Sequence, residues 1–415
     1  MRVLLIVHKF SPNNSVGARR WTKFYKYMRQ AGTDITVLTQ DWGHQQQLWG
    51  LDTQGDERII RLTDPLHRIG QVRRLTGLVN LVKTVVGHKL LGHTDDAYRF
   101  NRKAYREARK LIMERGITHL IVSCPPNSAA SLGARLKTDF PNLVFTLDFR
   151  DAWMQAYETY RTGYDESHPM YQKELAMERD SAGKADVLFS VVPETVAYFK
   201  RYMPGAMLLT NGFDADDMPS STPPYPTGFF KSGKIHLCHF GTLDFGREKA
   251  FLDFARQCLS DSSLRERLQL VLVGHVPDSL KAALVSETQV AFYPTLPQHQ
   301  VQQLMFHADA HLVVNDDILY YAYGSKVFDA FLYRKPVVFI TREQSLSNFI
   351  EKQGLGIPVD MAIFQAVEFG SKLLDLVEKS KHEHFKSHYT TCTQPYNIHT
   401  ITNQLIDVLN QKNKS

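Results

Sequence analysis

The feature that most limits what this chain can fold into is an alternation that runs through it twice. In the first half, short apolar runs at 3–7, 35–39, 119–123, 144–148 and 187–191 are separated by stretches with helical spacing at 19–30, 95–115, 128–137 and about 170–184. Short apolar runs between amphipathic helices predict parallel strands covered on both faces, because a strand buried on both sides has no polar face to show. Residues 212–234 break the pattern with Gly212, Pro219, Pro223, Pro224, Pro226, Gly228 and Gly233, a density of turn formers that suits neither periodicity. The alternation then restarts. Strands are expected at 235–240, 268–273, 290–293, 310–314 and 337–340, with helices at 248–258, 278–285, 297–307 and 325–333.

The expected fold class is α/β, with two doubly wound Rossmann-like domains. The first spans 1–211, a linker spans 212–234 and the second spans 235–394. The tail 395–415 carries Ile398, Ile401, Leu405, Val408 and Leu409 at helical spacing and is expected to return to the first domain. A length of 415 residues suits two such cores. Domains of this kind gather ligand-binding loops at the C-terminal ends of their strands, here expected to face a central cleft.

Composition removes several classes of function. No apolar run reaches 18 residues, and the opening run from Met1 to Val7 is too short for a signal segment and lacks a cleavage site. Cys124, Cys238, Cys258 and Cys392 are widely spaced, so neither a disulfide framework nor a metal cluster is expected, and a cytoplasmic location follows. The net charge of +6 is uneven: residues 1–210 carry +9, residues 211–415 carry −3, and the segment 58–115 alone carries +9. So local an excess suits an anionic surface or a phosphorylated acceptor. Within 65–91, Leu66, Ile69, Val72, Leu75, Val79, Val82 and Val86 recur every three or four residues, with Arg68, Arg73, Arg74, Lys83, His88 and Lys89 mostly between them. That pattern suits a helix lying on the inner membrane, or equally a helix packed on the domain with its charges in water.

Several loops carry candidate chemistry. The first strand runs into a turn-rich loop in which Gly17 permits close backbone approach to an anion, beside Arg19 and Arg20. After the strand at 235–240 come Gly241, Thr242, Gly246, Arg247 and Lys249; the amides and cations suit a diphosphate, while Arg247 and Lys249 equally suit the solvated start of a helix. Gly324, Ser325 and Lys326 open a helix whose N-terminus, hydroxyl and ammonium could meet phosphate oxygens, with Asp329 one turn on for ribose hydroxyls; an ordinary serine N-cap is the competing reading. Asp148, Arg150 and Asp151 end a strand in the first half, where a carboxylate could orient an acceptor hydroxyl or the ion pair could simply hold a loop. Upstream, Pro125 and Pro126 make a rigid turn, after which Ser128 is placed to cap the next helix.

Taken in order and spacing, these segments resemble glycosyltransferase family 4 and its GT-B relatives over nearly the whole chain. The resemblance implies transfer of a sugar from a nucleoside-diphosphate donor, usually with retention and without a metal or other cofactor; the acceptor is expected to be a cell-surface glycan or lipid-linked precursor. It implies that Gly17, Gly241, Thr242, Arg247, Lys249, Ser325 and Lys326 bind the donor diphosphate and that Asp329 binds ribose. Asp151 and Arg150 stand where relatives place polar groups near the reacting sugar, and they are the catalytic candidates. Two departures are visible: Tyr321 stands where many members carry a first glutamate, and Asp329 replaces the second. A nucleotide-sugar epimerase of the same fold and a non-catalytic sugar-nucleotide or glycan-binding scaffold are the rival readings. Nucleic-acid binding is not expected, because it leaves the C-terminal loops unexplained.

Overall fold

The computed structural model describes residues 1–43, 53, 55–64, 94–160, 166–244, 246–315 and 323–412. The amphipathic stretch 65–91 and Tyr321 lie outside them. Two compact units emerge, one of Met1–Thr210 with His399–Ser415 and one of Asn211–Ile398.

The first unit contains β1 (Arg2–Val7), α1 (Val16–Gln30), β2 (Asp34–Gln40), β3 (Ile59–Leu62), α2 (Tyr98–Arg115), β4 (His119–Cys124), α3 (Ser128–Asp139), β5 (Val144–Phe149), α4 (Met154–Tyr160), α5 (Pro169–Lys184), β6 (Val187–Ser190), α6 (Pro193–Phe199) and β7 (Met207–Leu208). Its sheet has the order β3-β2-β1-β4-β5-β6-β7, parallel throughout. Val3 to Val7 of β1 and all of β4 are buried, as central strands covered on both faces must be. The core continues into the strand ends, where Phe149 stacks on Phe199 with ring centroids 4.5 Å apart.

The second unit repeats the plan with β8 (Ile235–Phe240), α7 (Arg247–Ser260), α8 (Ser262–Arg267), β9 (Leu268–Val273), α9 (Asp278–Ala283), β10 (Val290–Tyr293), α10 (Gln298–His307), β11 (Ala310–Val314), α11 (Lys326–Tyr333), β12 (Val337–Ile340), α12 (Ser345–Lys352), β13 (Gly356–Val359), α13 (Ala366–Ser380) and α14 (Glu383–Thr393). Its parallel sheet has the order β10-β9-β8-β11-β12-β13. In each unit the chain builds outward in one direction and then returns to the other side of its first strand. The reversal falls between β1 and β4 in the first unit and between β8 and β11 in the second. The crevice beyond the strand ends at such a reversal is where open α/β sheets bind ligands. The chain ends in α15 (Ile398–Lys412), grouped from His399 onward with the first unit. Ile401, Leu405 and Leu409 are buried, and buried His119 donates from Nε2 to the Leu409 carbonyl at 3.1 Å.

Three strands escape the sequence pattern, all in outer positions. β3 is short and β7 has only two residues, both exposed. β13 contains Gly356 and Pro358, which read as turn residues; as the edge strand of its sheet it tolerates a missing N–H. The expected helix at 278–285 stops at Ala283, and that at 95–115 begins only at Tyr98. Asp95 is used instead to hold the next helix: its carboxylate accepts from the Ser128 amide at 2.9 Å and the Ser128 hydroxyl at 2.6 Å. Ser128 is therefore the first residue of α3 and the recipient of a cap, not the cap expected from the sequence.

Candidate functional site

The second unit brings β8, β9 and α11 together at the reversal point. Gly241 follows β8 with a φ of 116°, a conformation open to glycine and costly for other residues. Its amide donates to the Val273 carbonyl at 2.7 Å, continuing the ladder past the strand end. Gly274 is packed onto it, since a Cβ there would lie 2.5 Å from the Gly241 carbonyl oxygen. On the other side stands Lys326, at the first turn of α11. A Cβ at Gly241 would sit 2.5 Å from Lys326 Cε and 2.7 Å from Nζ. Gly241 thus clears the space through which the lysine reaches the end of β8, and Gly274 lets the Gly241 backbone pack closely behind it.

The Lys326 ammonium has two neighbours there. It donates to the Thr242 carbonyl at 3.2 Å and faces His239 Nε2 at 3.4 Å. His239 lies fully buried in β8, and its Nδ1 is 3.0 Å from the Leu312 carbonyl. A carbonyl only accepts, so Nδ1 carries the hydrogen and Nε2 presents a lone pair to the lysine. Burial, then the Lys326 charge, pushes the His239 pKa down to about 3, so the ring stays neutral. Lys326 itself is pushed down to about 8 by burial and then by the Arg247 charge, against the pull of Asp329 and Asp244. Two cations are therefore held together in a partly desolvated place.

Arg247 opens α7 behind Gly246, which has a φ of 86°. Among the described residues its buried Nε meets no hydrogen-bond partner, nor do the buried Asp244 Oδ1 and Glu248 Oε2 beside it. Buried polar atoms are normally paired, so such a cluster marks a place where something else is expected to sit. Ser325 occupies the N-cap position of α11 and makes no side-chain capping bond. Of the residues singled out from the sequence, Gly241, Thr242, Arg247 and Lys326 come together, with Ser325 and Asp329 on the same short helix as the lysine. Lys249 does not join them; it is exposed on α7.

The loops of the first unit are built differently. Arg150 is buried and spends its guanidinium on carbonyls: Nη1 to Gly17 at 2.6 Å, Nη2 to Pro125 at 2.7 Å and Nε to Cys124 at 3.3 Å. It laces together the loops after β1, β4 and β5. A Cβ at Gly17 would lie 2.5 Å from Arg150 Nη1, so that glycine makes room for the arginine. Asp148 faces the other way and is fully buried. Arg20 donates to it from Nη2 at 2.9 Å and Nε at 3.3 Å, Trp21 from Nε1 at 2.7 Å and Ser123 from its hydroxyl at 3.0 Å. The same arginine also holds the carbonyls of Leu209 and Thr210. Asp151, by contrast, is exposed beyond β5.

Sequence reasoning missed three residues that shape these sites. His239 looked like an ordinary strand residue. Glu174 and Glu178, one turn apart on α5, reach into the core: Glu174 accepts from Trp153 Nε1 at 2.7 Å, and Glu178 from the Met154 amide at 2.9 Å and Tyr198 hydroxyl at 2.7 Å. They anchor the segment that follows Asp151 from below. A signal was present, since a charged residue every fourth position on the buried face of a helix requires partners. Among the described residues no group of three His, Cys, Asp or Glu side chains is arranged to hold a metal, and no helix is long and apolar enough to cross a membrane.

No family model matches the chain, and no curated protein matches its sequence. Solved structures do match its fold. WaaG, described as a glycosyltransferase involved in lipopolysaccharide biosynthesis, aligns at a TM-score of 0.58 with 13% identity over 98% of this chain and 99% of its own. An α,α-trehalose 6-phosphate synthase from Burkholderia multivorans aligns at 0.63 with 10% identity over 100% and 99%. A putative UDP-N-acetylglucosamine 2-epimerase from Listeria monocytogenes aligns at 0.53 with 9% identity over 100% and 96%. The fold is GT-B. At these identities the likeness extends to the architecture of two Rossmann-like units, and any activity must be argued from the site itself.

Proposed function

We propose that this chain is a glycosyltransferase that takes a sugar from a nucleoside-diphosphate donor, with the donor diphosphate seated in the second unit at the end of β8. One observation carries the reading: Lys326 reaches the end of β8 against Gly241 and Thr242, where the Arg247 charge lowers its pKa, and the buried Arg247 Nε is a donor without a partner among the described residues. Asp329 and Asp244 offset the repulsion on Lys326 only in part, since its pKa stays below the ordinary value, and a further anion is favoured there. A diphosphate supplies that anion, and the site strengthens as negative charge grows on the leaving group. The N-termini of α7 and α11 add the positive ends of their dipoles.

In this reading Lys326 and Arg247 hold the phosphates, with the Gly241 and Thr242 backbone and the Ser325 hydroxyl close by, and Asp329 accepts from ribose hydroxyls. The bond from the anomeric carbon to the diphosphate oxygen breaks with its electrons going to the diphosphate, and an acceptor hydroxyl replaces it. No metal is required, because the protein's own cations neutralise the leaving group. Asp151 orients the acceptor hydroxyl. Arg150 acts by positioning, since its hydrogen bonds are spent on three loops. The acceptor is a glycan or lipid-linked precursor of the cell envelope, a choice supported by the WaaG fold with its described role in lipopolysaccharide biosynthesis. Transfer with retention, in the cytoplasm, belongs to the same proposal and rests on the sequence resemblance. Contact with the inner membrane through 65–91 belongs to the same proposal and rests on sequence pattern alone.

The epimerase reading is favoured by one observation, the Listeria neighbour. Calorimetric titration with UDP, GDP and ADP on the wild type and on Lys326→Ala tests the site. Selective binding of one nucleotide, at least tenfold weaker in the variant, supports it; no binding by folded protein removes it. Incubation with the matching sugar nucleotide then separates the activities. A transferase releases nucleoside diphosphate as the sugar passes to an added acceptor glycan or, slowly, to water; an epimerase returns an isomerised sugar nucleotide, and a scaffold does neither.

A further inference from the structure

The basic excess around α2 is not used by the donor site, which lies in the other unit. Most cations of α2 have evident structural work. Arg99 pairs with Asp64 at 3.5 Å, Arg109 with Asp139 at 3.6 Å and Lys110 with Glu107 at 3.9 Å, while Lys103 donates to the Thr63 carbonyl. Arg102 and Arg106 do not: among the described residues neither has a carboxylate partner. They stand four residues apart on one face of α2, a spacing at which like charges repel. Across from them on α3 stands Arg135. The three guanidinium groups line a groove of about 400 Å³ between the two helices, and no carboxylate lines it. That volume falls within the roughly 300–1,000 Å³ of small-molecule sites.

The groove is organised beyond its charge. Arg135 lies over the Tyr105 ring at 4.1 Å, and the Tyr105 hydroxyl is tied to Asp139, so the ring beneath the guanidinium is itself held in place. A fixed guanidinium edge suits the paired oxygens of a phosphate. At the other end Ser128 and Ser131 line the wall. Asn101 donates to the Ser128 hydroxyl at 2.6 Å, which fixes this part of the wall. Asp95 already satisfies the N-terminus of α3, so the arginines are the centre of positive charge.

We propose that the groove between α2 and α3 is an oxyanion site that takes a phosphomonoester or diphosphate group, gripped by Arg102, Arg106 and Arg135. The site stands whether or not the donor reading does. Joined to that reading, and only then, the phosphate is one carried by the acceptor. The same oxyanion could be presented by a lipid headgroup, and the experiment distinguishes the two sources.

The probes are inorganic pyrophosphate, followed by calorimetry, and sedimented vesicles of phosphatidylglycerol or of phosphatidylcholine. Because pyrophosphate also meets the cations of the second unit, the titrations use Lys326→Met and the same protein with Arg102→Ala and Arg106→Ala. Both arginines are exposed, so melting curves are expected to coincide. The expected result is pyrophosphate affinity at least tenfold weaker in the alanine pair and largely kept in an Arg102→Lys, Arg106→Lys pair. In an otherwise wild-type chain the alanine pair leaves nucleotide titration unchanged. Pyrophosphate binding without vesicle binding assigns the phosphate to a soluble or glycan-borne ligand; arginine-dependent binding to phosphatidylglycerol alone assigns it to a headgroup. Identical isotherms and identical vesicle binding with and without the arginines overturn the proposal. A flat nucleotide titration with arginine-dependent pyrophosphate binding removes the donor reading and leaves the groove.

Discussion

Nucleotide binding should weaken as pH rises through the titration of Lys326. Burial and the Arg247 charge bring that lysine to about 8, and a bound diphosphate favours its charged form and pulls it back towards the ordinary 10.5. Binding above pH 8 therefore takes up a proton, and affinity falls with rising pH. For a pKa near 8 in the empty site, the lysine is about nine-tenths charged at pH 7 and about one-tenth charged at pH 9. The apparent Kd for a nucleoside diphosphate should thus rise about tenfold across that interval, or about 1.4 kcal/mol. A phosphate's second ionisation near 6 is already about nine-tenths complete at pH 7 and changes little above it. The stability of the empty protein moves the opposite way. The unfolded chain binds more protons than the folded one between about 8 and 10.5, so stability rises with pH in that window. Calorimetry in buffers of different ionisation enthalpy reads affinity and proton uptake together, and Lys326→Met supplies the background from the nucleotide's own titration. His239 does not contribute, since it is neutral far below this range. An affinity that is flat from pH 7 to 9, or a pH dependence kept by Lys326→Met, would refute the placement of Lys326 against the phosphates.

Other perturbations have defined outcomes. Gly241→Ala forces a side chain into a φ of 116° and against Lys326, so nucleotide affinity should fall at least tenfold with a lower melting temperature. His239→Phe removes both the lone pair facing Lys326 and the donor to the Leu312 carbonyl; the unpaired carbonyl should cost about 1–3 kcal/mol in urea unfolding, and the midpoint of the pH–affinity profile should move. Asp148→Ala leaves Arg20 buried without its carboxylate and should cost about 3–5 kcal/mol in the same assay, and Arg20→Lys should also destabilise because a lysine cannot reproduce the two-point contact. Gly17→Ala should displace the Arg150 guanidinium and, if the donor phosphates sit in the second unit as proposed, lower transfer rate more than nucleotide affinity.

How far each feature could be read from the chain depended on whether its cause was local. The central strands were legible because burial on both faces leaves near-continuous apolar runs, as at Leu4 to Val7 and Leu270 to Val273. The edge strand Gly356–Val359 was not, because an edge position tolerates the glycine and proline that elsewhere mean a turn. Gly241 and Lys326 were each visible as residues suited to phosphate, yet 85 positions separate them, and their contact comes only when the sheet order places α11 beside the end of β8.

By itself, then, the sequence determined the repeated α/β plan and the kinds of residue gathered in its loops, because strand and helix periodicity and turn chemistry act over a few neighbouring positions. Tertiary structure alone decided what those residues do. It set Arg20 rather than Arg150 against Asp148, turned Arg150 towards three carbonyls, gave His239 its lone pair facing Lys326, and left Arg102 and Arg106 lining a groove with Arg135. Charge, burial and hydrogen bonding act through space, and their partners are chosen by the packing of distant segments rather than by neighbours along the chain.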